Sequence, residues 1–218
     1  MDRHIRVLGV VLLLAFGVLF LQLNHIQVLQ ASKLANAPGN TRHLYAEFAR
    51  NRGVIQTSDG MVIARSVPSN DNYKFQRQYP EGTLFADITG FTSLIYGSDG
   101  LERSYNADLT GKTIPLRHLS DLLTNRNETE TVTLSASSHL QQVAQLALGK
   151  YVGAVVALNP SNGAILAMFS NPSYDPNPLA SHSSAVANAA WNTYQQNPYG
   201  PMLPRAYRRA YAPGSTFK

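Results

Sequence analysis

Val7 to Leu21 is an unbroken run of fifteen apolar residues, VLGVVLLLAFGVLFL. Arg3 and Arg6 precede it, and Gln22, Leu23 and Asn24 follow. A full membrane span takes ~20 apolar residues, so the strictly apolar part is short. Arg6 can snorkel, and Gln22 and Leu23 can sit near the headgroups, which closes the gap. A cleaved signal peptide has an apolar region of about 7–15 residues, with a small-x-small site close behind it. Residues 22–30, QLNHIQVLQ, offer no such site, and Ala35-Asn36-Ala37 fits the pattern too far downstream. A buried soluble helix is a third reading, opposed by the flanking arginines and the position at the chain start. The pattern favours an uncleaved anchor over both. The two arginines then put the N-terminus in the cytoplasm and everything after about Asn24 outside it.

Composition bounds the rest. The chain has 218 residues, enough for one or two domains. Its 14% of charged residues lies well below the ~25% of an average soluble domain. There is no cysteine, which removes disulfides, cysteine-ligated zinc, iron–sulfur clusters and a cysteine nucleophile together. The net charge of +5 is scattered, so nucleic acid is not implied. The histidines at 4, 25, 43, 118, 139 and 182 show no ligand spacing, so neither a metal nor another cofactor is expected.

Beyond the anchor, His25, Ile26, Leu29 and Leu34 fall at rough helical spacing until Pro38-Gly39-Asn40 breaks the pattern. Two short strands flank Ser58-Asp59-Gly60, and Asp-Gly is a hairpin turn signal. Tyr73, Phe75 and Tyr79 alternate, predicting another strand that Pro80 ends. Residues 81–130 are mixed, with turn clusters at 97–100 and 125–127. The texture changes near Thr131. Ser138 and Gln141 have capping-box spacing, and Leu140, Val143, Ala144 and Ala147 share one helical face up to Gly149. Two apolar runs, 153–158 and 164–169, then flank Asn-Pro-Ser-Asn-Gly and predict a hairpin buried on both faces. Residues 171–204 read as a long surface excursion. Ala206, Tyr207, Ala210 and Tyr211 return to helical spacing before Pro213.

The chain ends Pro213-Gly214-Ser215-Thr216-Phe217-Lys218. A serine hydroxyl is a poor nucleophile near neutral pH and needs a base. On a helix, residues three apart share a face, so Lys218 would project beside Ser215. Burial and neighbours can lower a lysine pKa enough to make it a base. Pro213 can open the helix, placing Ser215 where backbone N–H groups favour a developing oxyanion. A bare Ser-x-x-Lys is weak, since about one chance match is expected in such a chain.

The surrounding residues carry more. Tyr211-Ala-Pro-Gly-Ser-Thr-Phe-Lys218 resembles the nucleophile motif of the penicillin-binding proteins, in which Ser-x-x-Lys is a signature. Residues 153–177 resemble the hairpin and loop that open the family's transpeptidase domain. Residues 131–144 resemble its first helix, with Ser135 where the family usually has Asp. Arg52-Gly-Val-Ile resembles the Arg-Gly-x-Ile hairpin of the class B pedestal, and Gly100-Leu-Glu102 its Gly-Leu-Glu motif. The small pedestal is most similar to that of the actinobacterial penicillin-binding protein A subgroup.

The resemblance implies an α+β chain: a transmembrane helix, a small mostly-β pedestal, then the first part of an α/β transpeptidase domain of the serine β-lactamase-like kind. The implied boundaries are a cytoplasmic tail at 1–6, an anchor at 7–23, a non-catalytic, dimerisation-like pedestal at 24–130, and an incomplete transpeptidase domain at 131–218. It implies that Ser215 is the acyl nucleophile on D-Ala-D-Ala stem peptides and on β-lactams, with Lys218 as its general base. It also implies peptidoglycan cross-linking and a partner, a glycan polymerase of the SEDS type. The family's Ser-x-Asn and Lys-Thr-Gly motifs follow the nucleophile and are not in this chain. Ser104-Tyr105-Asn106 lies upstream and reads as a turn, and Lys112-Thr113-Ile114 lacks the glycine. The chain is therefore expected to be the N-terminal piece of a longer enzyme and inactive alone.

Other readings stay open. A class D β-lactamase can carry Ser-Thr-Phe-Lys but lacks an anchor and pedestal. A bifunctional class A synthase needs a larger upstream domain than residues 24–130 allow. A membrane-bound penicillin receptor or an inactive scaffold could keep the motif. Several smaller features have structural readings. Arg205, Arg208 and Arg209 read as a solvated helix face. Trp191 and the tyrosines at 194, 199, 207 and 211 read as packing residues. Glu102 reads as a structural partner for an arginine of the Arg52 hairpin, and Asp175 and Asn177 as loop stabilisers.

Overall fold

The structure is a computed structural model and describes residues 2–30, 47–111 and 129–217. Expectations on Leu34, Pro38, Gly39, Asn40, His43, residues 112–114, His118, residues 125–127 and Lys218 lie outside the described residues. The chain divides into two compact units, residues 1–45 and 46–218.

The first unit holds α1 (Asp2–Asn24), which runs on as a π turn over His25–Leu29. Its 23 residues reach about 35 Å at a rise of 1.5 Å per residue. Helical Arg3, His4 and Arg6 extend the apolar run at one end, Gln22 to Asn24 at the other. The helix is therefore long and apolar enough to cross a membrane. Its apolar side chains are exposed along its whole length.

The second unit is α+β. The Asp59-Gly60 turn joins β1 (Ile55–Gln56) to β2 (Val62–Pro68), antiparallel as the sequence predicts. β3 (Phe75–Gln78) pairs along β2, and β6 (Val132–Thr133) adds in parallel beside β1, giving the order β3-β2-β1-β6. α2 (Gly82–Thr89) packs on this sheet. A small hairpin follows, β4 (Thr92–Ser93) with β5 (Gly97–Ser98), then two short helices, α3 (Gly100–Ser104) and α4 (Asn106–Leu109). Next come α5 (Ser138–Leu148) and the hairpin of β7 (Gly153–Leu158) with β8 (Ile165–Asn171). Ile55, Ile63, Phe85, Leu109, Ala144 and Phe169 form one continuous core beneath these elements.

Three expectations change. The hairpin of β7 and β8 is buried on one face only, since Val156, Leu158 and Ile165 are exposed. The predicted face of α5 is not the buried one. Leu140, Val143 and Ala147 point outward, and Gln141 and Ala144 point in. The reason is the outer edge of β8. Met168 directs its N–H and C=O away from β7, and they need partners. Gln141, fully buried, accepts from Met168 N–H at 2.8 Å and donates to Met168 O at 2.7 Å and Leu84 O at 2.9 Å. It serves as a single residue of strand closing that edge. The excursion at 171–204 also holds a helix, α6 (Ser184–Gln196). It lies beside a second apolar cluster of Ala86, Phe91, Tyr174 and Leu179, flanked by the Tyr96–Trp191 stack at 4.1 Å.

The capping box does not form either. Ser137 is the N-cap of α5, and its side chain caps nothing within the helix. Asp59, from the β1–β2 turn, takes the role across the fold. It accepts from Ser138 N–H at 2.9 Å, from the Ser138 hydroxyl at 2.7 Å and from the Ser137 hydroxyl at 3.2 Å. The Thr57 hydroxyl first, then these Ser138 and Ser137 donors, hold the Asp59 carboxyl well below the carboxylate range against a smaller opposing effect of burial. A depressed folded pKa means that the contribution is present above the usual 3.8 and lost as the pH falls beneath it.

Two outcomes follow for the full chain in detergent. Gln141→Leu strands the Met168 amide and two carbonyls, and should lower the unfolding free energy by about 3 kcal/mol in urea titrations. Asp59→Asn should flatten the fall of stability with acid below about pH 4, read as the unfolding midpoint against pH.

Candidate functional site

The chain runs from β8 through the excursion and back onto the same hairpin. α7 (Arg205–Arg208) packs on both β7 and β8. It is shorter than the helical spacing of 206–211 predicts, because residues 209–213 leave the helix ahead of Pro213. Three contacts seat it. Ala206 N–H donates to the Ser170 hydroxyl of β8 at 3.3 Å, and the Tyr207 hydroxyl to the Asp87 carbonyl of α2 at 3.5 Å. The Arg205 guanidinium donates to the carbonyls of Tyr199, Gly200 and Leu203. Arg205 is therefore buried, a clamp on the preceding loop, and not part of a solvated basic face. Arg208 and Arg209 are exposed as expected.

After Pro213 the chain turns through Gly214–Phe217 as one 3₁₀ turn, with Gly214 at φ +54°. Ser215 lies in this turn and is exposed. Lys218 lies outside the described residues.

The other motif residues meet far from Ser215 in sequence, at a buried node. Glu102 is fully buried on α3. It accepts from Arg52 Nε at 2.5 Å and from Arg77 Nε at 2.7 Å, with the Tyr79 hydroxyl at 3.4 Å. Arg52 also donates to Glu102 O at 2.6 Å and to the Asn106 side chain at 2.7 Å, and Arg77 to Gly53 O at 2.8 Å. Burial foremost, then the Glu102 charge, pushes the Tyr79 phenol well above its usual value, so it stays a donor. Arg77 Nη2 finds no partner among the described residues, beside a cavity of about 20 Å³, room for one water.

The glycines of these motifs have physical reasons. A Cβ at Gly53 would meet Glu130 O at 2.0 Å. Gly90 and Gly100 sit back to back at φ +67° and +60°, and a Cβ on Gly90 would lie 2.1 Å from Asp99 O. The expectation that Glu102 pairs with an arginine of the Arg52 hairpin holds, and the partner is Arg52 itself. Arg77 was not anticipated, although it falls on the inward parity between Phe75 and Tyr79. The turn expected at Ser104-Tyr105-Asn106 narrows to Tyr105, since Ser104 ends α3 and Asn106 opens α4 with its side chain in this node. Asn177 does more than steady its own loop. It bonds both backbone groups of Tyr79 at 2.9 Å, fastening the excursion to the end of β3.

Residues 52–131 match the family described as penicillin binding protein A dimerisation domain, and residues 153–218 the penicillin binding protein transpeptidase domain. The chain is 39% identical over 226 aligned residues to the peptidoglycan D,D-transpeptidase PbpA of Mycobacterium tuberculosis, and similarly to that of Mycolicibacterium smegmatis. The alignment covers all of this chain and 46% of the relative, so the chain spans about half the length of the curated relatives it matches. The structure resembles the ceftriaxone acyl-enzyme complex of penicillin-binding protein A from M. tuberculosis, with a TM-score of 0.74 and 41% identity over 79% of this chain and 40% of that one. It also resembles penicillin-binding protein 2 of Pseudomonas aeruginosa, with a TM-score of 0.63 and 31% identity over 77% of this chain and 38% of that one.

Breaking a buried ion pair from one side costs about 3–5 kcal/mol, because the partner charge stays buried. Glu102→Gln should cost about that in chemical unfolding of the full chain. Exposed Arg103→Gln, one residue on, should stay within about 0.5 kcal/mol.

Proposed function

This chain belongs to the class B penicillin-binding proteins of the PbpA type, and from that membership we propose that Ser215 is the acyl nucleophile of a peptidoglycan DD-transpeptidase. The observation that carries the reading is one of order. The alignment with the PbpA relatives runs over all of this chain, and the match at 52–131, which holds the Arg52 hairpin and the Glu102 node, is followed by the match at 153–218, which holds the hairpin of β7 and β8 and the Ser215 segment.

In this reading Ser215 Oγ attacks the carbonyl of the penultimate D-Ala of a stem peptide and passes its proton to the Lys218 amine. The tetrahedral intermediate collapses, the C–N bond breaks, and D-Ala leaves with that proton. An amine of a neighbouring stem then attacks the ester, and Ser215 regains its proton. A β-lactam acylates Ser215 by the same first step and leaves slowly. The M. tuberculosis relative is described as acyl-enzyme complexes with ceftriaxone, imipenem and penicillin G. That description supports the β-lactam part of the proposal.

Residues 7–23 are the membrane anchor in this proposal, with 1–6 in the cytoplasm. The pedestal takes 24–130, and the transpeptidase domain begins at 131. The pedestal and anchor are the surfaces offered to a SEDS-type polymerase. The positive flank at Arg3 and Arg6 supports the orientation.

The test is the natural gene product in its own membranes, labelled with fluorescent penicillin. Ser215→Ala should abolish the label. Lys218→Ala should slow labelling by about 10³-fold, the range of a lost general base. Label persisting on Ser215→Ala would overturn the assignment.

A further inference from the structure

Asp87 sits in the last turn of α2, buried where that helix packs on β8, with its backbone carbonyl reached by Tyr207 of α7. Neither carboxylate oxygen makes a well-formed hydrogen bond among the described residues, the Ser170 hydroxyl being the one side-chain donor near them. Such a group is costly to hold ionised. Its surroundings do not neutralise it. Ser170 on β8 and Gln141 on α5 do not titrate, and Gln141 is committed to Leu84 and Met168. The Arg205 guanidinium of α7 is spent on three backbone carbonyls. Tyr207 of α7, Tyr174 after β8 and Asp99 ahead of α3 are the remaining titratable neighbours. Arg103 and Arg208 stand at the rim of the adjoining cavity of about 330 Å³, and Arg208 leans toward Asp99 at 3.9 Å. Glu102 of α3 is committed to Arg52 and Arg77, and Arg65, the charged residue of β2, is exposed. Burial first, only partly offset by the Ser170 hydroxyl and the Arg205 charge, pushes the Asp87 carboxyl up to about 7.

The same joint seats α7. The Ser170 hydroxyl next to this carboxyl accepts Ala206 N–H, and the backbone carbonyl of Asp87 itself accepts the Tyr207 hydroxyl. Six residues after Arg209, with no regular helix or strand between, comes Ser215. We propose that Asp87 is a positioning residue whose charge state governs how firmly α7, and with it the Ser215 segment, is held against β8 and α2. The proposal rests on Ser215 being the nucleophile. The neutral acid fits the joint, whereas the carboxylate, buried and short of donors, draws water in from the adjoining cavity and loosens the packing of α7 there. The sign follows. A raised folded pKa gives a contribution that is complete in acid and lost as the pH rises through about 7.

The experiment is hydrogen exchange across residues 199–211 of the natural gene product in detergent, corrected for intrinsic base catalysis. Wild type should lose about tenfold in protection between about pH 5.5 and pH 8.5. Asp87→Asn, neutral at every pH, should show a flat profile. A single-turnover penicillin acylation series should follow, the ratio of Asp87→Asn to wild type rising with pH. Identical pH profiles for wild type and Asp87→Asn would overturn the proposal, as would a flat wild-type profile, which needs no variant to fold. The exchange measurement repeated on Ser215→Ala separates the two readings. Persistent labelling of Ser215→Ala defeats the assignment of the nucleophile, whereas lost pH dependence at 199–211 defeats only the role of Asp87.

Discussion

One carboxylate organises the fold between Arg52 and Asn106. Glu102 is removed from water altogether, and two guanidiniums bind its two oxygens from β3 and from the segment before β1. Taking three charges out of water is expensive, and the cost is met only if nearly every donor finds an acceptor. Arg52 and Arg77 do so by reaching the carbonyls of Gly53 and Glu102 and the amide of Asn106. The node therefore fixes more than a salt bridge. It sets the spacing between the β1–β2 hairpin, β3 and the two short helices. A shift of any one of them leaves a buried charge without a partner.

From this node the rigidity passes to the second half through polar side chains that stand in for missing backbone. Asn177 gives the end of β3 a bridge partner. Gln141 closes β8, and Asp59 finishes α5 from another hairpin. Each satisfies groups that a regular sheet or an N-cap would satisfy. The apolar core between them mixes sizes, with Ala64, Ala144, Ala167 and Ala180 beside Ile55, Ile63, Tyr79, Leu84, Phe85, Leu109 and Phe169.

The sequence is legible where local chemistry decides. The Asp59-Gly60 hairpin, the alternation at 73–79, the apolar pair of strands at 153–171 and the pairing of Glu102 with Arg52 could all be read from spacing or motif. It misleads where a distant partner decides. Gln141 sits at a capping-box position, but the open edge of β8 claims it. Leu140 and Val143 look like a core stripe and face outward. Arg205 looks like a solvated charge, but three loop carbonyls lie within its reach. α6 escapes notice because Ser184–Gln196 is rich in Ala, Asn and Gln, with Ala187 its one buried residue. Of the candidate site, the motif is plain in the sequence, whereas the seating of α7 on Ser170 and Asp87 has no local signature.

The parallel pairing of β1 with β6 bears on the order in which the chain can fold. Gln56 and Thr133 meet across 77 residues, and Asp59 meets Ser138 across 79. Closing so long a span carries an entropy cost that the β1–β6 pair alone does not offset. As the chain is made from its N-terminus, the first hairpin emerges with Asp59 presented and no helix to receive it. It waits, with one strand edge unpaired, until residues 130–141 arrive. α5, in turn, emerges with its terminus already catered for. The early hairpin thus acts as a template for the later helix, and a ribosome pause between the two would prolong the stage at which that edge can pair with another chain.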